Sequence, residues 1–492
     1  TGPTPHIFEI GVRRYPELFA GTLPALYRGT SPSEYAVFNL DEREVTRGAD
    51  LDLLEILFPA WMTAILRHGT GANGSVLALP FNPPGGHRQT DNLSLYYCDR
   101  GQVILGEQGY VGDSPMNAWV RGTTLSHNLV VVDDANQRLG AKDEERLPKF
   151  GFMATSRRVS VVDASSEVYP QCADYRRTVA LIKGPGSETV ALDIFRVKGG
   201  GRHAYRLFSE IAASDCKNGR IEFPDLDMPA EPPLPDYGSS VDPEHIFGLQ
   251  DVRRVEDPPP SWRADWKQAG RRYRLRMLSQ VDAVEASHGP GQESIEQIGR
   301  RVRFVDAITV GQDLSSTFIA LHEPGGPRGS MPVRRARQLR LPTHAGQNAV
   351  AVRLLTKWGI YWIFSDVDAE VQVDGIRFQG SFGVWCEPPD GEAWHFAVGA
   401  STLARGEGGF SGIAPSWHGQ ATDDDGANIK PDSGPPEGWS DPPEGVTAWI
   451  AVDTDTYRTG YPLRTTSADR IAVDRFPLET VTGFELPAVR YG

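Results

Sequence analysis

The stretch Val190-Ala191-Leu192-Asp193-Ile194-Phe195-Arg196-Val197 is a mostly apolar run, and the glycine-rich turn Lys198–Gly201 follows it. Apolar runs of this length that end at a turn predict β-strands. Similar strand-like runs occur on both sides of this stretch: Ser75–Leu79, Leu93–Tyr97, Val103–Leu105, Leu129–Val132, Thr178–Ile182, Ala349–Leu355, Ile360–Phe364, Ala369–Val373, Phe396–Val398 and Thr447–Val452. Long helical patterns are absent after about residue 74, and the 38 prolines and 52 glycines fit many turns. We therefore expect a mainly β protein built on a large antiparallel β-sandwich.

The chain of 492 residues is too long for one ordinary core, so more than one domain is expected. Residues 1–66 are predicted to be mostly helical, because two apolar runs on either side of Pro59 have helix-compatible spacing; the second run also fits a first strand. Residues 67–340 are expected to form the large sandwich, and residues 341–492 a smaller C-terminal β domain. The polar, acidic segment from 421 to 443 is expected to be a long exposed loop.

The net charge of −14 argues against nucleic acid as a partner, because there is no basic stripe to neutralise phosphates. It also disfavours long-range attraction of any acidic ligand, so such a ligand would need a local basic pocket. The nearest candidates for such a pocket are Arg88, Arg100, Arg121 and Arg138. No apolar run reaches the roughly 18 residues of a membrane span, and the first residues lack the pattern of a signal peptide. A homo-oligomer is compatible with this composition.

Four widely spaced cysteines form no Cys-x-x-Cys pair, which disfavours a structural zinc knuckle. Cys98 and Cys172 lie in strand-like runs and are expected to be buried free thiols. One disulfide among the four remains open at this stage.

Three polar segments stand at the ends of apolar, alternating runs. They are Gly85–Asp91, Gly106–Tyr110 and Ser126–Asn128. A β-sheet scaffold commonly presents reactive side chains in this way, so these segments are the candidate functional site.

Together with two later segments, they resemble the β-sandwich part of the heparinase II/III-like polysaccharide lyases. The segments that carry the resemblance are His87–Asp91, Leu93–Leu95, Glu107–Tyr110, His127–Asn128, Tyr169-Pro170 followed by Tyr175-Arg176-Arg177, and Asp193–Gly200. The match covers residues 55 to 210, and each motif gains its weight from the order of the set. Two positions depart from the family pattern: Gln89 replaces the second histidine of His-x-His, and Glu107 replaces an aspartate.

The resemblance implies β-elimination at a uronic acid, with 4,5-unsaturated uronate ends as products. It implies His87 and Tyr110 as catalytic residues, and an acidic polysaccharide as substrate. Arg88, Asp91, Trp119 and Arg121 are candidate substrate-binding residues. A secreted or periplasmic location is expected for such an enzyme.

In members of the family with a metal in the sandwich, the positions of Gln89, Glu107 and His127 supply the ligands. One structural divalent metal, zinc or calcium, is therefore a candidate cofactor here. Glutamine is a poor zinc ligand, and a purely hydrogen-bonded polar cluster is the alternative.

The family's upstream helical toroid supplies the tyrosine that acts as acid, and residues 1–66 contain at most the last helices of an (α/α) toroid. The missing part is expected from an upstream domain or another chain, unless the site is built differently.

Two other classes of function remain open at this stage. A non-catalytic carbohydrate-binding protein would use exposed tryptophans such as Trp119, Trp262, Trp266 and Trp417 for stacking on sugar rings. A glycoside hydrolase would need two carboxylates on either side of the scissile bond, and Glu107 with Asp91 or Asp113 are the candidates.

Overall fold

The computed structural model describes residues 5–14, 23, 27, 31–40, 54–82, 89–109, 117–138, 148–234, 248–291, 299–326, 329–473 and 480–492; the side chains of 5–7, 72, 117, 118 and 121 are not described. The three helices of these ranges are α1 Pro5–Arg14, α2 Glu34–Asn39 and α3 Asn117–Gly122. None of them has the length and apolar character needed to cross a bilayer.

The first half of the described chain contains sixteen strands. They are β1 Ile56–Phe58, β2 Thr63–His68, β3 Ser75–Pro80, β4 Tyr96–Asp99, β5 Gln102–Leu105, β6 Val130–Val132, β7 Lys149–Thr155, β8 Val159–Ser165, β9 Asp174–Lys183, β10 Thr189–Lys198, β11 Arg202–Ser209, β12 Arg220–Glu222, β13 Gln250–Glu256, β14 Trp262–Gln268, β15 Arg271–Met277 and β16 Ala283–Pro290.

The remaining strands continue the same architecture to the C-terminus. They are β17 Arg301–Val310, β18 Ser315–Pro324, β19 Val333–Gln338, β20 Val350–Thr356, β21 Ile360–Val373, β22 Ile376–Glu387, β23 Trp394–Arg405, β24 Gly408–Phe410, β25 Ser416–Asp424, β26 Asn428–Pro431, β27 Thr447–Thr454, β28 Arg458–Ser467, β29 Arg470–Val473, β30 Val481–Pro487 and β31 Val489–Tyr491.

These strands form four sheets, in which nearly every pairing is antiparallel. The N-terminal sheet has the order β1-β2-β3-β4-β5. A second five-stranded sheet has the order β13-β16-β17-β11-β6, and we call it the paired sheet because it shares a core with the long sheet. The long sheet of fourteen strands runs β12-β14-β15-β18-β10-β9-β8-β7-β27-β28-β29-β26-β25-β30, and the C-terminal sheet contains β19 to β24 with β31. The prediction of a mainly antiparallel β architecture is therefore confirmed.

The centre of the long sheet is buried on both faces, which explains the continuous apolar runs in its strands. In β9, Val179 and Leu181 pack into the core shared with the paired and N-terminal sheets. Ala180 and Ile182 pack into a second core, against the C-terminal sheet. Because side chains alternate across a strand, each of these strands must be apolar at consecutive positions.

The long sheet ends in a ring of six strands. Besides the pairings along the sheet, β27 also pairs with β30, so that β27-β28-β29-β26-β25-β30 closes on itself. A separate core that includes Trp417, Ile450 and Phe484 fills this ring, which we call the C-terminal barrel. The barrel joins the long sheet through the pairing of β27 with β7, so one sheet contains strands from both sides of the expected boundary at residue 340.

Two predictions of secondary structure are wrong. The helix expected for the first apolar run, before Pro59, is wrong, because the described end of that run forms strand β1. For the second run, the alternative of a first strand is confirmed, because it forms most of β2, which pairs with β1. Pro59 lies in the turn between them, and the burial of β2 alternates, as in a strand with one covered face. The loop expected from 421 to 443 contains the end of β25 and all of β26, because both strands belong to the C-terminal barrel.

All four cysteines are free thiols, so the question of a disulfide is settled against one. Cys98 and Cys172 are half-buried rather than buried.

Candidate functional site

The structure brings together side chains from two of the predicted polar segments and one from an adjoining strand. Tyr96, at the start of β4, donates its hydroxyl proton to Glu107 Oε2 at 2.7 Å and contacts Asp91 Oδ2 at 3.2 Å. Gln89 donates a side-chain hydrogen bond to Glu107 as well. The structure places Gln89 beside Glu107, two of the three residues grouped from the sequence. Asp91, predicted as a substrate-binding residue, and Tyr96, not predicted at all, lie with them.

His127, from the third segment, completes this group, which we call the polar cluster (Gln89, Asp91, Tyr96, Glu107 and His127). The His127 ring is 1% exposed, and its Nδ1 lies 3.6 Å from Glu107 Oε2. Its Nε2 lies 3.1 Å from the carbonyl oxygen of Val120 in α3, which can only accept a hydrogen bond. Nε2 therefore carries a proton, and Nδ1 faces the carboxylate.

The surroundings separate the acidities of the two carboxylic acids in the polar cluster. Burial, together with the charge of Glu107, raises the pKa of Asp91. Burial would also raise the pKa of Glu107, but the charge of His127 and its hydrogen bond outweigh burial and lower that pKa. The pKa of His127 is raised, because its contact with Glu107 outweighs the effect of burial. These directions favour the ionised form of Glu107, the protonated form of His127 and the neutral form of Asp91.

The polar cluster is also rich in acceptor atoms, which bears on the metal prediction. Gln89 Oε1 and Glu107 Oε1 are buried and have no hydrogen-bond partner among the described residues. A histidine that fixes one ring nitrogen on a carbonyl and turns the other towards a carboxylate has the arrangement common in metal-binding histidines. Among the described residues, no group of three or more His, Cys, Asp and Glu side chains is placed to hold a metal ion. A divalent ion at this place would need Gln89 as a ligand beside Glu107 and His127 Nδ1, where it would replace a proton, and this site stays a prediction.

Other predicted site residues lie elsewhere or outside the described ranges. His87, Arg88 and Tyr110 fall outside the described residues, and of Arg121 only the backbone, in α3, is described. Trp119 is buried in a core cluster with Phe208 and Phe304, and its indole N–H donates to Gln108 Oε1 at 2.8 Å. Its ring is enclosed by protein atoms, so a sugar-stacking role for Trp119 is wrong.

The same correction applies to the other tryptophans proposed as stacking platforms. Trp262 and Trp266 lie in the core of the sandwich, and Trp417 lies in the core of the C-terminal barrel. All three are at most 2% exposed.

Arg177, in the Tyr-x-Arg motif, holds the segments of the polar cluster in place. Its guanidinium forms a bidentate ion pair with Asp193, at 2.9 and 2.5 Å. The same group donates from Nη1 to the carbonyl oxygens of Leu93 at 2.6 Å and Asn128 at 2.7 Å. Leu93 follows Asp91 closely and has a φ of +63°, a strained value for this residue type, while Asn128 adjoins His127. Arg177 therefore joins two segments of the site to the centre of the long sheet.

Asn128 makes the corresponding contacts on the paired sheet. Its amide nitrogen Nδ2 donates to the carbonyl oxygen of Gly106 at 3.2 Å, next to Glu107. Its Oδ1 accepts from the backbone N–H of Phe208 at 2.8 Å. The two residues of the His-Asn motif thus have different roles. His127 belongs to the polar cluster, and Asn128 fixes the backbone at Gly106 and Phe208.

Asp193 extends the ion pair into a buried network with Tyr205, His322 and Tyr273. The Tyr205 hydroxyl donates to Asp193 Oδ2 at 2.5 Å, and His322 Nε2 lies 3.3 Å from the same oxygen. His322 Nδ1 lies 2.7 Å from the hydroxyl of Tyr273. Burial lowers the pKa of His322, although the contact with Asp193 opposes this effect.

The lowered pKa of His322 predicts a specific dependence of stability on pH. The folded state favours neutral His322. Its contribution to the stability of the fold is therefore complete above its ordinary pKa of 6.5, and it is lost as the pH falls towards the lower pKa that His322 has in the folded protein. We expect His322→Gln to flatten the fall in urea midpoint between pH 7.5 and pH 5. The midpoint is measured at both pH values, and an equal fall in both proteins would contradict the prediction.

Comparison with known proteins shows similarity at the level of solved structures. No family model matches the chain, and neither does any curated protein. Heparan sulfate lyase HepC from Pedobacter heparinus matches at 15% identity and a TM-score of 0.46, over 65% of this chain and 45% of that one. A structure of heparinase III matches at 13% identity and a TM-score of 0.43, over 65% of this chain and 45% of that one. This chain thus spans less than half the length of the lyases that it matches.

Proposed function

We propose that this chain is the β-sheet part of a polysaccharide lyase that cleaves a uronic-acid-containing polysaccharide by β-elimination. The observation that supports this most is the polar cluster, in which motif residues from three separate segments of the chain meet. Asp91, Glu107 and His127 meet in this cluster, and Asp91 lies only a few residues after His87 and Arg88 in the sequence.

The reaction requires three contributions from the protein. The carboxylate at C5 must be neutralised, the C5 proton must be removed, and the oxygen at C4 must be protonated as it leaves, so that a C4–C5 double bond forms. We assign a share of the proton transfer to His87 and Tyr110, and contact with the substrate carboxylate to Arg88 and Arg121. The polar cluster would position the loop of His87 through Gln89 and Asp91.

A divalent ion held by Gln89, Glu107 and His127 is part of the proposal. When bound, it would supply fixed positive charge beside Glu107 and Gln89, and Gln89 is two residues from His87 in the sequence. The remaining contributions come from the chain itself, since Tyr96 orients Glu107 and Arg177 fixes the backbone on both sides of the polar cluster.

The test is an absorbance assay in the ultraviolet band of 4,5-unsaturated uronates. Alginate, a glycosaminoglycan and a glucuronan are offered to this chain, alone and joined to the upstream helical domain that the proposal requires. One polymer should produce a rising signal, and Glu107→Gln should reduce the rate about 10- to 100-fold, as does the loss of a group that orients a site. Glu167→Gln, on the exposed Lys149–Glu167 pair, is the matched control.

Metal dependence is read in the same assay. A chelator should reduce the rate, and added zinc or calcium should restore it and raise the Tm of the protein. No signal from the joined protein on any of the polymers would reject the lyase proposal.

One observation favours a second candidate, a glycoside hydrolase. Asp91 and Glu107 contact the same hydroxyl of Tyr96, and their pKa values are shifted in opposite directions. A neutral acid close to an ionised carboxylate is the pairing that retaining glycosidases use, at separations of about 5–5.5 Å. New reducing ends without the unsaturated chromophore would support this candidate instead.

A further inference from the structure

A cavity of about 280 Å³ lies where the C-terminal sheet, the C-terminal barrel and β7 meet. Phe152 on β7 forms part of its wall, and Phe152 belongs to the core between the long sheet and the C-terminal sheet. Arg176 in β9 pairs with Asp366 on the cavity wall, whereas Arg177, the next residue, contacts the backbone beside the polar cluster. Consecutive side chains of a strand point to opposite faces, so the cavity and the polar cluster lie on opposite sides of the long sheet. We call this space the junction cavity.

The backbone around the junction cavity is irregular in a way that opens it. The register of β21 with β22 shifts between Val367 and Val371, and that of β22 with β23 shifts at Gly380. Asp366, at the first of these bulges, has a φ of +52°. Bulges and strained residues of this kind concentrate at functional sites, where they redirect side chains.

The Asp366 carboxylate on the cavity wall is paired with arginines that lie outside the cavity. The Asp366 carboxylate forms ion pairs with Arg176 and with Arg196, the latter at 3.2 Å. Neither arginine lines the cavity, and none of the fourteen described lining residues is basic. An anionic ligand would therefore find no cationic side chain among these lining residues to pair with.

The remaining lining groups suit a ligand with many hydroxyl groups. Ser381, Ser401 and Ser416 contribute hydroxyls, and Phe152 and Pro487 contribute apolar surface. The Ser401 Oγ is buried and has no hydrogen-bond partner within the described part of the chain. A buried hydroxyl without a partner costs stability unless a ligand or water satisfies it.

We propose that the junction cavity binds one neutral sugar unit. Carboxylate oxygens would accept hydrogen bonds from its hydroxyl groups, and serine hydroxyls would donate and accept them. The volume is close to the lower limit of ligand pockets, which suits one ring and not a longer oligosaccharide. This proposal is independent of the reaction at the polar cluster.

The decisive comparison uses two probes that differ in one group. Methyl β-D-glucoside and methyl β-D-glucuronoside are titrated into the whole chain, and binding is followed by saturation-transfer NMR. The glucoside, or the corresponding galactoside, should bind with a Kd on the order of 1 mM, as expected for so small a ligand. The glucuronoside should bind at least several-fold more weakly, because its carboxylate would meet Asp366, Asp368 and Glu485.

Three variants locate the binding. Ser401→Ala should weaken it about 2- to 10-fold through the loss of one hydrogen bond, and Ser416→Trp should abolish it by filling the cavity. Glu107→Gln should leave it unchanged, so failure of the lyase proposal and failure of this one are distinguishable. If Ser416→Trp does not fold, Ser401→Ala decides.

Several outcomes would overturn the proposal. They are the absence of binding by any neutral glycoside, glucuronoside binding as tight as glucoside binding, unchanged binding in Ser401→Ala, and calcium binding at these residues in place of a sugar.

Discussion

Arg177→Met is expected to lower the free energy of unfolding by about 3–5 kcal/mol, the cost of removing one partner from a buried ion pair. Arg177 and Asp193 are both fully buried, and the substitution would leave the Asp193 charge without its cation. It would also leave the carbonyl oxygens of Leu93 and Asn128 without their shared donor. Urea denaturation at pH 7, followed by tryptophan fluorescence, measures the change.

Lys149→Met provides the matched control for this prediction. Lys149 pairs with Glu167 at 2.7 Å, but both side chains are about half exposed. Exposed pairs contribute about 0–1 kcal/mol, so the control should lie within that range. Equal losses in the two variants would show that Arg177 has no special structural role. If Arg177→Met does not fold, Arg177→Lys should fold with a smaller loss, since it keeps the charge and loses the bidentate geometry.

His87→Ala is expected to lower kcat/KM on the uronate substrate by about 10²- to 10⁴-fold, the usual contribution of a side chain that transfers a proton. His87 directly precedes Arg88 and Gln89, and Gln89 is held in the polar cluster by its hydrogen bond to Glu107. The initial rate of the absorbance assay at low substrate concentration measures kcat/KM directly.

The stability of His87→Ala separates a chemical role from a structural one. Its urea midpoint should equal that of the wild type, and His418→Ala, at an exposed position on β25, should keep full activity. A loss smaller than tenfold in a folded His87→Ala protein would remove His87 from the reaction.

The sequence predicted the central strands well, for a physical reason. The runs Thr178–Ile182 and Val190–Val197 lie in strands covered on both faces, so burial makes nearly every position apolar. The apolar run before Pro59 was expected to be a helix, because short apolar segments without a clear period fit helices and strands equally. The end of this run is the strand β1, which pairs with β2, and β2 in turn pairs with β3. These pairings are tertiary contacts that the local sequence pattern does not show.

The candidate site was predicted in part. The grouping of Gln89, Glu107 and His127 was expected from the family resemblance of polar segments that follow apolar runs, whereas the place of Asp91 and Tyr96 beside Glu107 was not predicted. The roles of Arg177 and Asp193 could not be predicted, because they depend on the register of β9 and β10, which places Val179 opposite Asp193. Trp119 was misjudged, since sequence spacing does not show which side of a short helix is covered.

The C-terminal barrel has a consequence for how this protein behaves at high concentration. An open sheet offers unpaired backbone groups at each end, where another molecule can add a strand. Here one end of the fourteen-stranded sheet closes on itself, and the other is β12, three residues long, with Arg220 and Glu222 among them. The longest sheet of the molecule therefore has almost no template for edge-to-edge aggregation, despite its length.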